Sequence, residues 1–127
     1  MLWPLALVLI VITGAATSAQ QTPGPEVIAR NLAENVLGEG TVRSVRVSSG
    51  GRRIDIVWDA VLYRPTQTVA RNREQLRGEA ELATGSIMGI LRPGVIRFTI
   101  MLGSRIIARG ERTQGHFTIT YAKDLGD

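Results

Sequence analysis

The chain has 127 residues, 44% of them hydrophobic, a net charge of +4 and no cysteine. That length holds about one domain with a sizeable core. The missing thiols exclude a disulfide framework, a lipid-modified cysteine and the cysteine-based zinc sets. All but Lys123 of the 15 basic residues are arginine, and 11 acidic residues offset them, so the charge does not call for nucleic acid or another polyanion.

Residues 2–12 are apolar apart from Pro4 and carry no charge. Residues 13–19 are small, with Thr17 and Ala19 at the −3 and −1 positions of a peptidase site. The pattern predicts a signal peptide over residues 1–19 and an exported remainder, secreted or periplasmic. The n-region lacks Lys and Arg, so the rival is an uncleaved anchor, since a span needs about 17–25 apolar residues. Contact with a membrane is expected only if residues 1–19 stay uncleaved. Residues 20–24 form a short polar linker.

A single domain is predicted over residues 25–122. Pro25 suits the first position of a helix. Residues 26–37 follow, with Ile28, Leu32 and Val36 on one face and Gly38 at the end. Residues 41–49 and 52–62 read as a hairpin about Gly50-Gly51. That loop pairs Val47 with Ile54 and Val45 with Ile56 on the apolar side. It sets Arg46 against Asp55 on the other, an opposite-charge pair. Core and charge therefore agree on one register.

After Arg64-Pro65, residues 66–91 read as a long helix. Val69, Leu76, Ala80, Ala83, Ile87 and Ile90 mark its apolar face, and Arg73 interrupts it. Gly78, Gly85 and Gly89 each weaken a helix by roughly 1 kcal/mol against Ala, which predicts a kink or an early end. Three strands close the domain. Residues 95–102 turn Ile96, Phe98, Ile100 and Leu102 inward. A two-residue loop at Gly103-Ser104 would bring Arg105 and Arg109 to the apolar side. The expected loop is therefore three residues, pairing Leu102 with Ile106, Ile100 with Ala108, Phe98 with Gly110 and Arg97 with Glu111. A Gln114-Gly115 turn then starts a last strand over residues 116–122, with Phe117, Ile119 and Tyr121 inward. Residues 123–127 are expected to form a frayed tail.

The fold class that follows is α+β, two-layer, in the order α-β-β-α-β-β-β. A mostly antiparallel five-stranded sheet carries helices packed on one face. The pattern does not set the strand order across the two hairpin units, nor whether the outer edges are covered. An uncovered edge invites strand addition by a partner.

Candidate chemistry is sparse. His116 is the sole histidine and the only plausible general base, at the start of a strand where an exposed structural His is ordinary. Asp55 and Asp59 lie about 13 Å apart along one strand, whereas paired glycosidase carboxylates need about 5–9.5 Å. No metal or cofactor is expected. Gly85-x-x-x-Gly89 matches a helix-dimer motif, but the apolar run around it is too short to span a bilayer. Close packing of helix on sheet explains these glycines. The sharper reading is a cleft for a small apolar ligand, lined by Gly85, Gly89, Phe98, Gly110, Ile119 and Tyr121. Arg64, Arg71, Arg73 and Arg77 are the candidates for anion binding, although Glu74, Glu79 and Glu81 lie among them and a solvated face explains most of this charge. The expected function is a non-catalytic binding module for a protein or envelope component. The alternatives are an apolar-ligand carrier and, least supported, an enzyme.

Overall fold

The computed structural model describes residues 22–125. The leader reading of residues 1–19 lies outside the described residues. The elements are α1 (Pro25–Leu37), β1 (Val42–Ser48), β2 (Arg53–Asp59), α2 (Val69–Leu91), β3 (Val95–Leu102), β4 (Arg105–Thr113) and β5 (His116–Tyr121). The strands form one sheet in the order β1-β2-β3-β4-β5. Its β2–β3 pair is parallel and the others antiparallel. A parallel pair needs a crossover, and α2 supplies it. The fold is α+β, as expected.

The first hairpin has the expected register: Val47 faces Ile54, Val45 faces Ile56 and Arg46 faces Asp55. Its loop is wider than two residues. Ser49, Gly50 and Gly51 all take positive φ (55°, 65° and 93°), and Arg52 N donates to Ser49 O at 3.2 Å. Asp55 is ion-paired along its own strand, with Arg53 at 3.1 Å, rather than with Arg46 across the ladder.

The β3–β4 hairpin corrects the expected three-residue loop. Ile100–Ala108, Phe98–Gly110 and Arg97–Glu111 pair as anticipated, but Met101 faces Ile106 and Leu102 faces Arg105. A two-residue turn at Gly103-Ser104 is reconciled with the apolar face by a register shift beside Ile100. The extra residue turns Ile107 into the core and leaves Arg105 exposed, where its guanidinium meets Asp124 at 2.9 Å.

Helix α2 is continuous over 23 residues despite its three glycines. Leu76, Ala80, Ala83 and Ile87 are all buried, and packing against the sheet outweighs the weak local propensity. The Thr68 hydroxyl caps the helix by accepting from Arg71 N at 3.1 Å. Two residues assigned to the inner face point away from it: Val69 is 41% and Ile90 65% exposed. Helix α1 is also rotated from its expected face. Ala29, Ala33 and Leu37 are buried, whereas Val36 is exposed. Ala29, Ala33 and Leu37 join the core cluster, and Leu32 packs against it from beside them. The domain also runs past residue 122. Lys123–Leu125 forms a short turn, Leu125 N donates to Ala122 O at 2.8 Å, and Leu125 is buried.

Candidate functional site

Two buried polar side chains on α2 organise the connection from β2. Glu79 accepts from Trp58 Nε1 at 3.2 Å, Val61 N at 3.0 Å and Leu62 N at 2.7 Å. Burial pushes its carboxyl above the usual carboxylate range, against the opposing effect of those three donors. Asn72 holds Arg64 as a neighbouring strand would. Its Oδ1 accepts from Arg64 N at 3.1 Å and its Nδ2 donates to Arg64 O at 2.9 Å. Asn72 Oδ1 also accepts from Gln67 Nε2, so both side chains are taken up by the loop backbone and by neighbouring side chains.

From Trp58 an aromatic row runs across the inner face of the sheet. Trp58 stacks on Phe98 and Phe98 on Phe117, with ring centroids 5.7 Å apart in each pair. Gly110 lies between Phe98 on β3 and Ile119 on β5. A Cβ there would collide with Thr118 O, the Phe98 ring and Ile119 Cα. Only glycine lets the two rings close over β4.

The row ends under arginines from α2 and β4. The Arg77 guanidinium lies 5.0 Å from the Phe117 ring centre, and that of Arg112 lies 5.8 Å from it. Arg73 sits 5.6 Å from the Tyr121 ring, and the Tyr121 hydroxyl donates to Arg73 O at 3.2 Å. Burial raises the Tyr121 phenol above its ordinary value, opposed by Arg77 and Arg73. Arg73 Nε is buried without a hydrogen-bond partner among the described residues. Beside these groups is a shallow depression of about 380 Å³, lined by Ala70, Arg73, Glu74, Arg77 and Tyr121.

The two sheet edges differ. On β1, Val42 N donates to Glu34 Oε2 at 3.1 Å, Val47 N donates to Glu26 Oε2 at 3.4 Å, and Arg30 Nη1 reaches Val42 O at 2.6 Å. Side chains of α1 thus take up backbone groups of that edge at Val42 and Val47. On β5, Ala122 N donates inward to Ile107 O. Strand alternation then turns the backbone groups of Phe117, Ile119 and Tyr121 away from β4. Among the described residues no strand lies beyond β5.

The candidate residues named from sequence do not form one site. Phe98 is buried in the aromatic row, and Ile119 and Tyr121 pack against the core. Gly85 faces Arg112, whose Nη1 lies 3.5 Å from where a Cβ would stand. Gly89 meets nothing within 4 Å. The Phe98 and Phe117 rings and the Arg112 side chain pack among these positions, and Gly89 is exposed. Of the four arginines, Arg64 donates to Val61 O and Tyr63 O, and Arg71 pairs with Glu74 at 3.4 Å. Arg73 and Arg77 are brought together at β5, where Arg77 also pairs with Glu81 at 3.4 Å. Arg112 was not singled out from sequence. Its Nη1 donates to Glu81 O and Thr84 Oγ1, a contact that spans 28 positions to Thr84.

His116 is exposed at the start of β5. Asp59 receives a hydrogen bond from Arg43 Nε at 2.6 Å, so both strand carboxylates have arginine partners. Among the described residues no helix is long and apolar enough to cross a membrane. No family model, curated protein or solved structure matches the chain.

Proposed function

We propose that the chain is an exported, non-catalytic binding module that takes an extended segment of a partner protein onto the free edge of β5. The carrying observation is the difference between the edges. Glu26, Arg30 and Glu34 take up backbone groups of β1 at Val42 and Val47, whereas β5 presents the outward backbone groups of Phe117, Ile119 and Tyr121. Proteins ordinarily blunt an edge with a charge, a proline, a bulge or a covering element. β5 reads His-Phe-Thr-Ile-Thr-Tyr and pairs with β4 without a register shift. An edge left in that state is suited to strand addition, in which main-chain bonds give affinity and alternate side chains give selectivity.

The test is site-specific photo-crosslinking in the native host, with the reactive side chain at Thr118 on β5 or at Ser44 on β1. A partner captured from Thr118 and lost in Ile119→Pro supports the reading. Proline is tolerated where an edge N–H faces outward, but it removes that donor. Capture unaffected by Ile119→Pro, or equal capture from Ser44, overturns it. Intact mass by cell fraction tests export: a soluble species starting at Gln20 is expected, and a membrane-bound species retaining Met1 is the contrary result.

A further inference from the structure

We infer that the segment received by β5 is acidic, with carboxylates on the side chains that turn toward α2. This rests on the strand-addition reading and adds the chemistry of the occupant.

A strand laid along β5 points alternate side chains to the helix side of the sheet, beside Phe117 and Tyr121. The groups waiting there are cationic. Arg77 lies over Phe117 and Arg73 over Tyr121, at the rim of the depression that continues outward from β5. Of the carboxylates nearby, Glu74 on the rim of the depression pairs with Arg71, and Glu81 already pairs with Arg77 at 3.4 Å, which leaves Arg73 as the principal cation for an incoming carboxylate. Arg73 has no ion pair among the described residues, and its buried Nε has no partner. The aromatic rings hold both guanidinium planes in place, so less side-chain freedom is lost when a carboxylate arrives.

The same charges disfavour a second copy of this chain. Antiparallel pairing of β5 with its own symmetry mate would put Arg73 and Arg77 of both copies along one seam on the helix side. Like charges facing each other across strands are unfavourable. The outer face of β5 gives no comparable preference. Thr118 and Thr120 stand there beside Glu111 and Arg109, one charge of each sign.

The experiment titrates the full chain with three capped octapeptides that alternate threonine with glutamate, serine or lysine. Hydrogen exchange at the Phe117, Ile119 and Tyr121 amides is followed alongside affinity. The expected result is protection of all three amides by the glutamate peptide, with affinity about ten-fold above the serine peptide. That preference should shrink at high salt and disappear in the Arg73→Gln/Arg77→Gln double variant. Equal protection and affinity with glutamate and serine overturns the charge inference and leaves strand addition standing. No protection by any peptide overturns both. Protection that grows with protein concentration alone identifies a second copy as the occupant and overturns the proposal.

Discussion

The two edges of the sheet solve one problem in opposite ways. At β1, carboxylates projected from α1 at Glu26 and Glu34 accept the outward N–H groups of Val47 and Val42. Those donors would otherwise recruit another chain. At β5 the neighbouring helix contributes arginines, which cannot accept a hydrogen bond and so leave the strand's donors unanswered. One helix thus closes its edge with acceptors, while the other frames its edge with positive charge. The same open backbone becomes a liability or a binding surface according to the charge placed beside it.

The largest way to break the comparison is Gly110→Ala. The new Cβ has backbone on one side and the Phe98 ring on another, so β5 cannot stay in register. A loss of about 3 kcal/mol is expected in urea denaturation. Glu79→Gln is remote from both edges and serves as a control. Three donors converge on the carboxylate, and an amide cannot accept all of them. A cost of about 2 kcal/mol is expected, with the edge amides unchanged in hydrogen exchange.

Glu79 also predicts a pH trend. Its carboxyl binds a proton more readily in the folded chain than at the ordinary value of 4.5. The folded state therefore holds more protons across that window. Its contribution is greatest below the ordinary value and declines as pH rises through the raised one. The urea midpoint, measured against pH, should show this decline in the parent and not in Glu79→Gln.

A smaller change sharpens the comparison. Glu34→Ala removes the acceptor for Val42 N, with an expected cost of about 1 kcal/mol and faster exchange at that amide. Adding Glu26→Ala should convert β1 into a second open edge, read as self-association by sedimentation. The smallest effect is expected for Thr118→Lys on the outer face of β5. Stability should stay within about 0.5 kcal/mol of the parent, and Phe117, Ile119 and Tyr121 should remain available to a partner strand.

The hairpin registers were legible because two independent signals, apolar alternation and opposite charge, agreed at Val45, Val47 and Arg46, and again at Phe98 and Arg97. Where one signal conflicted with another, the reading failed. Arg105 argued against a two-residue turn, and a bulge placing Ile107 inside resolved the conflict without changing the turn. The face of α1 was misjudged because size was taken as a guide to burial, whereas the small Ala29 and Ala33 are fully buried and Val36 is exposed. Asn72 and Glu79 interrupt an apolar stripe and look solvent-facing in one dimension. Their partners are loop backbone groups and the Trp58 and Gln67 side chains, which no spacing reveals. Arg73, Arg77, Phe117 and Tyr121 were each noticed, but their meeting depends on where the crossover lays α2 across the sheet.

The fastening of residues 61–64 to α2 bears on the tempo of folding. Asn72 and Glu79 bind backbone only eight to 18 positions away, so this segment can close on itself while the chain is otherwise open. Each antiparallel pair likewise joins neighbours through a short turn. The parallel seam between β2 and β3 is the one ladder that must bridge an entire helix. Its assembly should set the rate, with Trp58, beside that seam and bonded to Glu79, as the optical clock.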